Sequence, residues 1–227
     1  MMIVERALLH PQIGGYTMID QWPLKYLRTK QLLLRWMECS AFSDVMFRTH
    51  PGNLPTKSWQ YNSDNATLVA FKTWASVHAA LWPYRKGFVE LASTTGVPVT
   101  RHPWLQYPGD SKVPCSSWSS GVACCCAFAS SHAAVCLQVY NLTDQFMVGD
   151  AIMVAPVLGA NVTSVQMYLP VGSGSWTHVW TGVSMPSPGW ITMEAPIGQP
   201  AVAVRNSSPW ASRLITALCG ATDNCAT

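Results

Sequence analysis

Beyond about residue 150 the chain changes character, and that change constrains its fold more than any other feature. Ile152-Met-Val-Ala-Pro-Val-Leu158, Val165-Gln-Met-Tyr-Leu169, Trp176-Thr-His-Val-Trp180, Ile191-Thr-Met-Glu194 and Ala201-Val-Ala-Val-Arg205 are short runs rich in β-branched and aromatic residues. They recur at intervals of about a dozen residues, with Gly, Pro, Asn and Ser between them, which is the pattern of an antiparallel β-sandwich.

The first 150 residues follow a different pattern. Leu27, Leu32, Leu33, Trp36 and Met37 recur at near-helical spacing, with Lys25, Arg28, Lys30 and Arg35 as a wetter side, so a helix is expected from about Leu24 to Ala41. Ser63 or Asp64 is a candidate N-cap for a second helix, whose apolar face takes in Leu68, Phe71, Trp74, Ala75, His78, Leu81 and Trp82. Pro83 should kink or restart that helix, and Gly96 is a natural stop. Val97 to Pro108 holds three prolines and is expected to be extended. Helix, loop, helix and strand in that order suggest an α/β unit, so the fold class is α/β followed by all-β, with a boundary near residue 150.

Between the two helices lies the loop Phe42 to Pro55, closed by Pro51, Gly52, Asn53 and Pro55. It carries Arg48 and His50 two positions apart, and Ile13-Gly-Gly-Tyr-Thr17 forms a second tight turn upstream. On these residues alone, a surface Arg and a His satisfied within its own turn is the simpler account, as it is for His78, His102 and His178.

Charged residues make up 11% of the chain against roughly 25% in ordinary soluble proteins. With eleven Trp and ten Met, that leaves more apolar surface than 227 residues can hide unaided, and points to a partner, an oligomer or further sequence. The net charge of +3 is scattered, with no basic run suited to nucleic acid. Of eight Cys, five lie between Cys115 and Cys136, while Cys39, Cys219 and Cys225 stand apart; there is no CxxC pair and no disulfide framework is expected. No cofactor or metal motif is present, and the eleven acids show no obvious catalytic pair. The apolar stretch Gly121 to Val139 is interrupted by Ser, His and Gln, so no membrane span is expected. No signal peptide is visible, which favours the cytoplasm; four Asn-x-Ser/Thr sequons at Asn65, Asn141, Asn161 and Asn206 would matter only in a secreted protein.

A series of short motifs, in order, resembles the second half of glycoside hydrolase family 31. They are Gly14-Gly-Tyr-Thr17, Leu34-Arg-Trp36, Arg48-Thr-His-Pro-Gly-Asn53, Pro83-Tyr84, Gly96-Val-Pro98 and Tyr107-Pro108, then Asp144-Gln-Phe-Met-Val-Gly149, Val154-Ala-Pro-Val157, Tyr168-Leu-Pro170 and Ala195-Pro196. The wording of the first and third looks most like the sulfoquinovosidase branch. The resemblance implies a C-terminal fragment of a (β/α)8 TIM barrel over residues 13–150, followed by the proximal β-sandwich over 151–206, with 1–12 a non-homologous stretch and 207–227 a tail. It implies a retaining exo-α-glycosidase acting on a terminal α-glycoside of the sulfoquinovose or glucose type, such as a sulfoquinovosyl glyceride. In that frame His50 binds sugar hydroxyls, Tyr16 helps hold the sulfonate, and Arg48 orders the loop.

The family's catalytic Asp pair would lie upstream of residue 1, and Gln12 stands where the family has a site Asp, so no catalytic residue is assigned here and the chain alone is expected to be inactive. Residues 114–138 interrupt the family spacing; with 1–12 they suit translated intron, because the likeness begins abruptly after Gln12 and resumes abruptly after Gln138, and a genuine loop insertion is the alternative. Two other readings fit the same residues: an α-glucosidase or α-xylosidase of the family, and a non-catalytic carbohydrate-binding or interaction protein.

Overall fold

The computed structural model describes residues 28–46, 58–110, 142–222 and 224–225. The described elements are helix α1 (Lys30–Ala41), α2 (Asn65–Ala80), α3 (Trp82–Thr95), strand β1 (Thr100–Arg101), the short helix α4 (Pro103–Gln106), strands β2 (Phe146–Val148), β3 (Ile152–Ala155), β4 (Ser164–Leu169), β5 (Trp176–His178), β6 (Ser184–Met185), β7 (Gly189–Glu194) and β8 (Ala201–Arg205), and helix α5 (Ala211–Thr222).

Local chemistry sets the helix ends. The Thr29 hydroxyl accepts from Leu32 N at 3.1 Å and caps α1. Asp64, rather than Ser63, caps α2 by accepting from Thr67 N at 2.7 Å. Pro83 restarts the helix: it sits in the first turn of α3, where its missing N–H costs nothing. Gly96 ends α3 in the left-handed conformation, φ 74°.

Six strands pair antiparallel in the order β1-β2-β3-β8-β5-β6, and β4 pairs with β7 as a separate ribbon. The large sheet takes strands from both sides of residue 150, since β1 and β2 precede it. Alternation along the strands then builds three layers. Phe146, Val148, Ile152, Val154, Val202 and Val204 face the helices, joining Leu33, Met37, Phe42, Trp74, Val77, Leu81, Leu214 and Leu218 in one core. Met147, Met153, Ala155, Ala201 and Ala203 face the other way, against Met167, Leu169 and Met193 of the β4–β7 ribbon. In β8 the small alanines lie under the ribbon and the valines under the helices. Each fully buried Val, Leu or Met contributes about 1.5–3 kcal/mol of hydrophobic stabilisation.

Several expectations are corrected. Within the stretch expected to be extended, only β1 is strand, and Pro103 opens helix α4. A proline is accommodated at a helix start, and the His102 ring caps the turn by accepting from Trp104 N at 3.1 Å. Trp82 was expected on the buried face of the second helix but is 56% exposed, because the helix restarts there. Arg28 and Arg35, assigned to the wetter side, are both buried. The expectation of no disulfide is overturned: Cys219 and Cys225 are bonded, their Cα atoms 5.4 Å apart where the chain turns back after α5. Helix α5 itself, with Leu214, Leu218 and Thr222 on one buried stripe, lies in a stretch where no element was expected. Among the described residues no helix is long and apolar enough to cross a membrane.

Candidate functional site

Tyr16, Arg48 and His50 lie outside the described residues. The structure does describe both chain ends that bracket 47–57, and each is held by specific bonds.

On the entering side, the last carbonyl of α1, Ala41 O, accepts from the Arg85 guanidinium at 3.0 Å, and His78 Nδ1 lies 3.1 Å from it. Arg85 Nη1 lies against the same ring, 2.9 Å from Nδ1 and 3.2 Å from Nε2. Burial, and then the neighbouring Arg85 charge, hold the His78 pKa below its ordinary value. Three residues further on, Asp44 Oδ1 accepts from both the backbone N (3.1 Å) and the hydroxyl (2.6 Å) of Thr100, tying the chain to β1.

The returning side is clamped at Trp59. Its N–H donates to Arg28 O at 2.7 Å, and Arg28 Nε donates back to Trp59 O at 2.7 Å. The same guanidinium donates to Gln60 Oε1 at 2.7 Å, and the Trp59 indole donates to Thr67 Oγ1 at 2.9 Å. Lys30 lies over the Trp59 ring at 5.4 Å and pairs with Asp64 at 2.6 Å. Residues 28 and 59 are therefore one junction, at which the start of α1 and the chain leading into α2 are tied together.

Behind this junction α1 is bolted to the strand loops by a buried ion pair. Arg35 Nη1 donates to Glu38 Oε2 at 2.8 Å, while its Nη2 donates to Ala195 O at 2.8 Å and Val162 O at 3.0 Å. Glu38 Oε1 accepts from Gly198 N at 2.7 Å. Burial raises the Glu38 pKa, opposed by the Arg35 charge and by the Gly198 bond.

The described carboxylates are mostly committed to structure. Asp110 accepts from the Tyr168 hydroxyl and from Val171 N, each at 3.0 Å. Asp150 pairs with Arg205 at 2.7 Å and accepts from the Tyr84 hydroxyl at 3.2 Å. No group of three or more His, Cys, Asp or Glu side chains among the described residues could hold a metal ion. Burial, and then the neighbouring Glu38 charge, push the Cys39 thiol up to about 12, away from the thiolate form. An open hollow of about 650 Å³ lies elsewhere, beside the β4–β7 ribbon, lined by Asp144, Gln145, Pro156, Val162, Gln166 and the half-exposed Trp190 among others.

The anchoring arginines Arg28, Arg35 and Arg85 were not singled out from sequence as functional supports. Of the three, only Arg35 falls within a family-like motif, Leu34-Arg-Trp36.

Comparisons with known proteins bear on the whole chain. Residues 127–208 match the glycosyl hydrolase family 31 C-terminal domain. A sulfoquinovosidase of Escherichia coli is 35% identical over 91% of this chain, which covers 25% of that protein. One from Agrobacterium fabrum is 34% identical over 91%, covering 26%. The chain thus spans about a quarter of the length of the curated relatives it matches. A solved family 31 sulfoquinovosidase from E. rectale, in complex with an aza-sugar inhibitor, superposes with a TM-score of 0.68 at 28% identity, covering 91% of this chain and 26% of that one. The chain thus carries the glycosyl hydrolase family 31 C-terminal domain at residues 127–208 and is similar to sulfoquinovosidases along nine-tenths of its length.

Proposed function

We propose that the chain supplies the C-terminal part of a retaining exo-α-glycosidase that acts on sulfoquinovosyl glycosides. The observation that carries this reading is the ranking of relatives. The two sulfoquinovosidases match over 91% of the chain at 34–35% identity, whereas α-glucosidases from Bacillus and Aspergillus match over 78–79% at 25–30%. In this reading the part of residues 13–150 that precedes β1 provides the last strand–helix units of a (β/α)8 barrel, at whose C-terminal mouth family active sites sit, while β1 and β2 join the antiparallel sheet. Tyr16 donates its phenol proton to a sulfonate oxygen, His50 bonds hydroxyls of the ring, and Arg48 orders the loop between the Asp44 and Trp59 anchors. The nucleophile and the acid/base are assigned to none of these residues, so the chain alone is expected to be inactive.

The test uses the enzyme that contains this chain together with the remainder of the barrel. Tyr16→Phe should lower kcat/KM on an aryl sulfoquinovoside ten- to a hundredfold while sparing the aryl glucoside. A hydrogen bond to a charged group is worth about 1.5–3 kcal/mol. His50→Ala should impair both substrates, because the hydroxyls it would contact are common to them. Equal losses on the two sugars from Tyr16→Phe would remove the assignment of the sulfonate.

A further inference from the structure

We propose that Asn161 is a site of N-linked glycosylation, in a chain that matures in an oxidising, secretory-type compartment. The proposal is independent of which sugar the enzyme cleaves.

Two separate observations support it. The first is the turn between β3 and β4, which presents the sequon Asn161-Val162-Thr163 with all three residues exposed. Asn161 has a left-handed backbone, φ 59°, a conformation that Asn tolerates better than most residues. The turn's backbone is fixed from beneath, since Val162 O accepts from Arg35 and Thr163 O accepts from Ala195 N at 2.6 Å. A bulky group on the side chain would therefore project from a rigid platform without displacing the core.

The other described sequons fit less well. Thr67 of the Asn65 sequon is wholly buried, its hydroxyl accepting from the Trp59 indole. Asn206 is engaged at both ends of its amide: Nδ2 donates to Ser175 Oγ at 2.9 Å and Oδ1 accepts from Thr177 Oγ1 at 2.6 Å.

The second observation is the Cys219–Cys225 disulfide, which closes the end of α5 against the turn at Gly198–Gln199, where Asn224 Nδ2 donates to Gly198 O at 3.1 Å. Disulfides of this structural kind persist in oxidising compartments and are rare in the reducing cytosol. Such a compartment is also where sequons are modified, so the disulfide gives the sequon its context. The chemistry requires a polyprenyl-pyrophosphate-linked oligosaccharide as donor. Asn161 Nδ2 forms a bond to the anomeric carbon as the bond from that carbon to the pyrophosphate oxygen breaks. The amide proton passes to a base, and the lipid pyrophosphate departs.

Native protein, alkylated before any reduction, is treated with peptide N-glycosidase in 18O-labelled water and digested with chymotrypsin. The peptide Gly159–Met167 should carry labelled Asp at position 161, and Cys219 and Cys225 should be recovered in one disulfide-linked species. Thr163→Ala, which removes the sequon at an exposed hydroxyl and keeps Asn161, should abolish the label. Full recovery of unlabelled Asn161, or alkylated thiols at Cys219 and Cys225, would overturn the proposal.

Discussion

Gly149→Ala is the substitution whose cost the structure defines most sharply. Gly149 joins β2 to β3 with φ 58°, and its N–H donates to Val99 O at 2.8 Å, so the backbone cannot rotate away. A Cβ there would meet Phe88 Cε2 at 2.6 Å and Cδ2 at 2.8 Å, and would run into the Tyr84 hydroxyl. Neither ring can easily yield. Phe88 is held between Arg101, whose guanidinium lies 5.2 Å from its ring centre, and Tyr84 at 5.0 Å, while Trp210 backs Tyr84 at 5.7 Å. A left-handed alanine costs roughly 1–2 kcal/mol, and forced overpacking about 1–3 kcal/mol more, so the total is about 2–5 kcal/mol.

Gly96→Ala separates the two contributions. Gly96 has φ 74° but nothing within 4 Å of its virtual Cβ, so it should incur only the backbone cost. Urea unfolding followed by tryptophan fluorescence should place Gly149→Ala about 1–3 kcal/mol below Gly96→Ala, with m unchanged. In the Gly149→Ala background, Phe88→Ala should recover part of that difference, since the two positions are in contact. Equal losses for the two glycine variants would refute the claimed clash.

Three further outcomes follow from buried polar groups. Arg35→Met or Glu38→Ala alone should cost about 3–5 kcal/mol in denaturant unfolding. The double variant should not recover it, because the carbonyls of Val162 and Ala195 and the Gly198 N–H lose their partners as well. Tyr84→Phe should cost about 1–3 kcal/mol by leaving the buried Ala151 N–H, which now donates to the Tyr84 hydroxyl at 2.9 Å, without an acceptor. His178 is neutral in the fold, its pKa held below the ordinary 6.5 by burial, opposed by a bond to Glu194 O. The unfolded chain takes up that proton first. The stability this contributes is therefore present above about pH 6.5 and is lost as pH falls through the depressed folded value. His178→Gln should flatten stability between about pH 7 and pH 5, leaving the slope from His78, which is depressed in the same sense; an unchanged slope would contradict the assignment.

What the sequence made legible was governed by short-range rules. Asp64, Pro83 and Gly96 act through bonds or dihedrals within a few residues, so their roles could be read where they stand. The short β-branched runs at Ile152–Ala155 and Ala201–Arg205, bounded by Gly, Pro and Asn, announced strands, although packing on both faces buries nearly every side chain in them. Features created by pairing at a distance were missed. β1 and β6 are two residues each and exist only because β2 and β5 hold them. The Cys219–Cys225 bond depends on a turn that spacing alone did not announce. For the site, local wording singled out Tyr16, Arg48 and His50, but the groups that anchor the flanks, Arg28 to Trp59 and Asp44 to Thr100, are separated by roughly thirty to sixty positions, beyond the reach of periodicity.

The low content of charge shows the same division between local and distant causes. With 11% charged residues, the expectation is more apolar surface than the chain can hide unaided. In fact Arg28, Arg35, Arg85 and Arg101 are each 5% exposed or less, so several of the few charges are spent inside. Their partners explain why. Arg28 reaches Trp59 O, Arg35 reaches Val162 O and Ala195 O, and Arg85 reaches Ala41 O, all backbone carbonyls in loops or at the end of an element. A guanidinium offers five donors in a fixed plane and stays charged under burial that would strip a lysine of its proton, so one side chain can tie two loops together. The exterior is correspondingly apolar, with Val45, Trp82, Val183 and Trp190 each more than half exposed. In a protein that spans a quarter of the length of its relatives, those surfaces are the natural places to look for contact with the rest of such an enzyme. Probing Trp82 and Trp190 by fluorescence quenching, in the chain alone and in the longer protein, would show which of them becomes covered.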